Sequence, residues 1–535
     1  MEFNLADLWE RVADAIPDAE AVVHGERRSS YAELDERATR LANYLAAEGV
    51  GPDDHVAVYL VNSVEYIEAM LAAYKLRAVP INVNYRYVAD ELRYILDDSD
   101  SKAIVFDHEF AARLAAVHAS LPLLTTRVVV DDGTGSDVPR ELGAVDYETA
   151  LAGASAVRDF GPRSADDLYI VYTGGTTGNP KGVMWRAEDI FFGALGGGGG
   201  LGGEPIGTPE QITDDLNAGL RCHPACPLMH GTGQWVTLAT LYSGGTVVLL
   251  PDRHFDATRT WELIDRESVV FLVIVGDAFA RPLIDAHDAL DPAVDISSLI
   301  VVLSGGAILS PAVREAWTER LPGVLVMDGF GASETGAQGQ ALATADDAVN
   351  DAPRFRVNDE TTVLDDDLRE TPVGVVGKLA RRGHVPLGYY KDPEKTAATF
   401  PVIDGVRWSV PGDHARLEED GTISVLGRGS VSINTGGEKV YPEEVEGVLK
   451  SHAAVFDAVV VGVPDERWGE RVVAVVQFRP GTSATLDELV RHADSHVARY
   501  KVPRDLVTVD SIVRSPSGKP DYRWAKSTAE ERLSG

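Results

Sequence analysis

Short aliphatic runs recur through the first three hundred residues or so, alternating with stretches of helical periodicity, and this rhythm constrains the fold more than any other feature of the chain. Apolar runs at 55–60, 103–106, 127–130, 246–250, 270–275, 299–303 and 324–327 alternate with helical patterns such as 31–48, 64–75, 89–96 and 311–319. That alternation reads as α/β units built on buried sheets. Acidic segments near 345–367 read as exposed loops before a β-rich part at 374–426. After Gly427 a compact α+β pattern restarts, with helices expected at 443–451 and 486–500 and extended segments at 455–462 and 472–478. At 535 residues the chain is too long for one core. The expected fold class is therefore α/β: a large multi-sheet N-terminal domain (1–427) with a β-rich part, a connector at 428–431, and a small α+β C-terminal domain (432–535).

A second feature narrows the chemistry. Residues Tyr172-Thr173-Gly174-Gly175-Thr176-Thr177-Gly178-Asn179-Pro180-Lys181-Gly182 follow the apolar run 168–171. Glycines allow positive φ and close backbone approach to an anion, while threonine hydroxyls and a lysine add donors and charge. The loop reads as a phosphate cradle, yet it lacks the Gly-Lys-Ser/Thr spacing of a Walker A motif, as does Gly518-Lys519. A formal charge of −34 disfavours nucleic acid and anionic membranes as partners. The longest aliphatic run, 269–275, is far short of a bilayer crossing, and the N-terminus lacks the regions of a secretion signal. A cytoplasmic location with no integral membrane segment is expected. Cys222 and Cys226, with His223 and His230 nearby, superficially suggest zinc, but a second ligand pair at metal spacing is missing; buried reduced thiols are expected instead.

The phosphate loop resembles the signature of the adenylate-forming superfamily, which includes acyl-CoA synthetases, firefly luciferase and peptide-synthetase adenylation domains. Further motifs follow in the family's order: Ser304-Gly305-Gly306-Ala307 on the adenine side, Asp328-Gly329-Phe330-Gly331-Ala332-Ser333-Glu334-Thr335, Pro411-Gly412-Asp413, Gly427-Arg428, and Pro516-Ser517-Gly518-Lys519. The resemblance implies ATP, Mg²⁺ and coenzyme A, together with a small-molecule carboxylic acid; a homodimer is left open. It also implies that the small domain moves, with the active site between the domains.

By that resemblance, Thr173, Gly174, Gly175, Thr176, Thr177, Gly178 and Lys181 hold phosphates, with Thr177 also counted among the catalytic groups. Gly305, Gly306, Ala307, Asp328, Gly329, Phe330 and Ser333 surround the nucleotide. Phe330 and Ser333 stand where relatives usually carry tyrosine and threonine, and they keep an aromatic face and a hydroxyl. Glu334 is the implied magnesium ligand; one carboxylate suffices because Mg²⁺ keeps waters and takes substrate oxygens. Asp413 is suited to accept from both ribose hydroxyls, Arg428 to contact the nucleotide, and Lys519 to stabilise charge during adenylation.

The segment Pro227-Leu228-Met229-His230-Gly231 carries no carboxylate where amino-acid-activating relatives do, so a free α-amino substrate would lack a partner. His230 corresponds to a residue beside the acid. Glycines 196–200 and 202–203 either open room for a wide or long apolar acid or form a surface loop. The narrower resemblance is to actinobacterial fatty-acyl and steroid-side-chain CoA ligases. For the acceptor, Gly436 and Gly437 match the loop lining the pantetheine tunnel, Arg86 is a candidate for a CoA phosphate, and Ser430 is the hinge residue, followed by Val431 where aspartate is common. The expected function is ATP-dependent acyl-CoA ligation; loading of a carrier protein and a catalytically silent binding module are the alternatives.

Overall fold

The computed structural model describes residues 2–534 apart from 174–178, 200–202, 308, 343–353, 429–430, 436–437, 466–468, 495 and 516–517. The expected α/β class is observed. Five strands, Glu20–His24, Thr246–Leu249, Arg221–Pro224, Phe271–Ile274 and Val301–Gly305, pair in parallel and are followed by Leu325–Ala332 in the same sense. Their buried Val, Leu, Ile and Phe side chains explain the near-continuous apolar runs, since both faces of this sheet are covered by helices. The chain then turns at Thr335 and the sheet continues antiparallel through Gly336–Leu342 and Arg354–Val357.

Apart from the small pair Val402–Ile403 and Val406–Arg407 and the edge strand Gly388–Tyr389, the β-rich part does not form a separate sheet. Ile423–Arg428, Asp413–Leu417, Val376–Arg381 and Thr361–Leu364 extend the same sheet, which reaches thirteen strands. A second, parallel five-stranded sheet comprises Val79–Asn82, His55–Tyr59, Ser101–Asp107, Thr126–Val130 and Val145–Asp146. Leu168–Thr173 and Lys181–Arg186 form an antiparallel hairpin whose register pairs Thr173 with Lys181, with Gly388–Tyr389 on its edge. The two strands flank the phosphate-loop sequence, whose residues 174–178 lie outside those described.

The small C-terminal part has its own sheet. Val455–Asp465 pairs antiparallel with Gly469–Phe478, which also pairs with Ile433–Thr435 and, in parallel, with Asp505–Thr508. Ala458 and Val460 point into one cluster with Val445 and Leu449, whereas Val459, Val461 and Val463 point into another with Ala525 and Ala529. The two-residue period places one helix on each face. The expected helix at 486–500 stops at Asp494 and resumes as a single 3-10 turn, Arg499–Lys501. Pro503 disfavours helical backbone at Val502 and so closes off the helical run. The strand Asp505–Thr508 and the final helix Tyr522–Ser534 were not anticipated from the sequence.

Candidate active site

The parallel strands end together beneath the helix Gly231–Tyr242, and the gap there is a cavity of about 680 Å³. Val275, Leu303, Gly305 and Gly329 border it at the carboxyl ends of the strands, the usual place for a ligand in an open α/β sheet. A second cavity of about 960 Å³ lies between this edge and the small domain, bordered by Asp328, Ala307, Asp413 and Tyr441. The two meet along Gly306, Gly329 and Phe330, and Lys519 borders both.

Lys519 reaches that junction because its loop is pinned at both ends of the contact. Arg514 forks onto Asp457 at 2.8 and 2.7 Å and donates to the Gly518 carbonyl at 2.7 Å, while the Lys519 amide donates to Ser515 Oγ at 3.1 Å. Gly518 has φ of +73°, and a Cβ there would lie 3.2 Å from the Val275 carbonyl. Only glycine lets the small-domain loop approach the sheet edge this closely without strain. Behind the loop, Lys450 Nζ stands 3.8 Å from both Asp277 and Asp457, and Arg281 donates to the Lys450 carbonyl at 3.4 Å. Asp277 and Arg281 belong to the large domain, so buried charges from both domains meet where Lys519 is delivered.

His230 is the residue before the helix Gly231–Tyr242, in extended conformation, and its Nε2 is buried without a hydrogen-bond partner. Burial, with the positive charges of Lys519 and Arg86 added, pushes it down to about 3. The imidazole is therefore neutral at physiological pH, and His230 borders the same cavity as Lys519. An unfolded histidine binds its proton near 6.5, so this group's stability contribution is complete above that pH and is lost on acidification toward 3. The expected kcat/KM profile carries no limb from His230 between about pH 5.5 and 8, because that profile reports groups of the free enzyme that titrate there. Parallel profiles for wild type and His230→Phe support this; a wild-type inflection that the substitution abolishes contradicts it.

Glu334 sits in the turn after Leu325–Ala332. Its Oε1 accepts from the Tyr389 hydroxyl at 3.0 Å, and its backbone carbonyl accepts from Ser409 Oγ at 2.5 Å. No other described residue bonds to its second carboxylate oxygen. The Tyr389 ring also lies 5.7 Å from Lys181 Nζ, which forms an ion pair with Asp392. Tyr389 and Asp392 thus link the phosphate-loop lysine to Glu334, and neither was singled out from the sequence. A carboxylate with one oxygen anchored and one available fits a site in which Mg²⁺ takes its remaining oxygens from water and phosphates. The expected result for Glu334→Gln is a magnesium requirement raised by at least about 10-fold, a loss that even outer-shell changes at metal sites produce. Titrating Mg²⁺ against pyrophosphate release checks this, and an unchanged curve contradicts the assignment.

Asp328 is buried at the second cavity, and burial pushes it up to about 7, with Arg314 opposing and Asp277 adding to the rise. Phe330 packs at 5.3 Å against Phe355 and presents its ring at the junction. The Ser333 carbonyl accepts from Trp185 Nε1 at 3.0 Å. Gly306 has φ of +82°, and a Cβ would lie 3.1 Å from Thr232 Oγ1. Asp413 stands opposite Arg428 in the antiparallel register, so these two motifs are neighbours across two strands. Arg86 is exposed, with its guanidinium 5.9 Å from the Tyr85 ring. Gly174, Gly175, Thr176, Thr177, Gly178, Ser430, Gly436 and Gly437 lie outside the described residues.

The glycine run divides between the two expected roles. Gly196 borders the first cavity, and a Cβ there meets nothing within 4 Å. At Gly197, however, a Cβ would lie 2.8 Å from Phe192, and at Gly198 2.9 Å from Ile206. Gly197 and Gly198 serve close packing of a turn with positive φ instead of opening the cavity. The thiols of Cys222 and Cys226 are free and buried, and burial pushes both up to about 12.

The AMP-binding enzyme family matches residues 9–390, and the AMP-binding enzyme C-terminal domain matches 444–519. The chain is 50% identical to 3-oxocholest-4-en-26-oate–CoA ligase of Rhodococcus rhodochrous, covering 98% of this chain and 96% of that protein. It is 47% identical to medium/long-chain-fatty-acid–CoA/3-oxocholest-4-en-26-oate–CoA ligase of Mycolicibacterium smegmatis, over 99% and 97% of the two chains. ATP-bound MatB of Rhodopseudomonas palustris superposes with a TM-score of 0.82 at 27% identity, covering 98% of this chain and 99% of that one. No helix among the described residues is long and apolar enough to cross a membrane. With both family models matched across its two domains, this chain belongs to the AMP-binding enzyme family.

Proposed function

We propose that the chain is an ATP-dependent acyl-CoA ligase for long or ring-bearing apolar carboxylic acids, working through an acyl-adenylate. The observation that carries this reading is Lys519 at the junction of an apolar cavity with a second, more polar one. The acid's hydrocarbon lies along the helix Gly231–Tyr242 with its carboxylate at His230 and Lys519. ATP occupies the second cavity, its ribose at Asp413 and its adenine near Phe330. A carboxylate oxygen attacks the α-phosphorus, pyrophosphate leaves, and Lys519 offsets the charge that redistributes between them. The thiol of CoA then attacks the acyl carbonyl and AMP leaves. Bound Mg²⁺, held by Glu334 and phosphate oxygens, would neutralise phosphate charge.

His230, neutral, bounds the carboxylate site without adding a competing cation. Domain boundaries at 1–427, 428–431 and 432–535 agree with the separate small-domain sheet, and rotation about 428–431 is part of the same proposal. The names of the relatives support the acid class, as does a cavity that follows the whole helix. The test is pyrophosphate release over a panel of acids with and without CoA. Long-chain and steroid-side-chain acids are expected to exceed acetate and benzoate in kcat/KM, since each buried methylene contributes about 0.8 kcal/mol. Acetate matching the best long acid overturns the substrate class, and no CoA-dependent turnover overturns the ligase.

A further inference from the structure

The apolar cavity does not end in apolar residues. Thr232, Val236, Ala239, Thr240 and Ser243 recur at three- and four-residue spacing, share one face of the helix Gly231–Tyr242, and all border the cavity. From His230 at one end of this helix to Ser243 at the other is about 20 Å at the α-helical rise. At the deep end Leu220 and Phe271 form the walls, and two hydroxyls, Thr240 and Ser243, stand among them with 2% and 8% exposure.

Each hydroxyl has one proton, and each proton is already placed. Thr240 Oγ1 donates to the Val236 carbonyl at 2.7 Å, and Ser243 Oγ donates to the Ala239 carbonyl at 2.8 Å. A carbonyl can only accept, so the direction of both bonds is fixed. What the two hydroxyls offer an incoming group is lone pairs.

Resting on the reading of this cavity as the acid site, we propose that Thr240 and Ser243 form an acceptor site for a hydroxyl carried at the far end of the acid. A distal hydroxyl donates to Ser243 or Thr240 among buried side chains. A terminal methyl gains no such bond. A distal ketone brings an acceptor to acceptors, and binds there only if a hydroxyl abandons its helix carbonyl. The chain therefore selects long acids with a hydroxyl remote from the carboxylate over their unsubstituted and keto counterparts, although the relatives are named for a 3-oxo acid.

Matched acids test this in CoA-dependent pyrophosphate release: a saturated long-chain acid against its ω-hydroxy derivative, and steroid-side-chain acids differing only by a remote ring hydroxyl or ketone. Wild type is expected to favour the hydroxyl by about 3- to 10-fold in kcat/KM, the range of one net hydrogen bond. In the double variant Thr240→Val, Ser243→Ala the ratio is expected to fall to about one, whereas Ser243→Thr keeps it. A wild-type ratio of one overturns the proposal, as does a preference that persists in the double variant. Should the double variant fail to fold, the wild-type ratio still decides. If no long acid is turned over at all, the ligase reading fails first; turnover without preference removes this inference alone.

Discussion

Replacing Lys519 with alanine is expected to lower acyl-adenylate formation by about 10²- to 10³-fold while ATP affinity changes only a few-fold. That is the range seen when one preorganised charge-stabilising donor is removed from an active site. The selectivity for the reaction over binding follows from position. Lys519 lies at the junction of the two cavities, where the carboxylate and the α-phosphate would meet, and its loop is fixed by Arg514, Asp457 and the Gly518 approach to Val275. A charge held there in advance acts where charge develops, and costs little reorganisation in the reaction. Pyrophosphate release within a few-fold of wild type, with folding intact, would contradict the role. Gly518→Val should mimic the loss with Lys519 still present, because its Cβ would press on the Val275 carbonyl at a positive φ that valine resists.

The second large effect concerns substrate length. Ala239 faces the cavity about 13 Å along the helix from His230, so Ala239→Trp places an indole across its middle. Excluding four methylenes from burial costs about 3 kcal/mol, or about 100-fold in kcat/KM for long-chain and steroid-side-chain acids. Short acids such as butanoate, which end before Ala239, should lose little. The measurement is kcat/KM across an acid series, with the ratio of long to short acid as the readout. A uniform loss, or none, would mean that acids do not run along this helix.

Much of the fold was legible because the parallel strands are buried on both faces and leave unbroken aliphatic runs, while the helices between them carry strong periodicity. The sheet's extent was not. Strands such as Asp413–Leu417 and Val376–Arg381 are short and lack a continuous aliphatic run, and nothing local tells whether they close on themselves or continue a sheet built many residues earlier. The C-terminal helix Tyr522–Ser534 was missed because its charged residues mask the few contacts, Ala525 and Ala529, that seat it. At the site, residues in contiguous glycine-rich motifs could be found from their resemblance to the family's motifs: Gly305, Gly306, Gly329, Phe330, Asp413 and Lys519 border the cavities. Glu334, found the same way, stands behind them on Tyr389. Partners supplied from far along the chain could not. Asp392 meets Lys181 from 211 positions away, Tyr389 meets Glu334 across 55, and Asp277 meets Lys450 across the contact between the two domains. The glycine run stayed ambiguous because glycine serves both open space and tight packing. Gly196 and Gly198 look alike in sequence and differ only in what their absent Cβ would touch.

The adenylate itself is the most direct test of the central claim. Single-turnover quenching of enzyme with ATP, Mg²⁺ and a radiolabelled long-chain or steroid-side-chain acid should accumulate enzyme-bound acyl-adenylate and one equivalent of pyrophosphate without CoA. Adding CoA should then convert that adenylate to thioester with release of AMP. Thioester formation with no adenylate preceding it, or pyrophosphate release that produces no acyl-adenylate, would contradict the account.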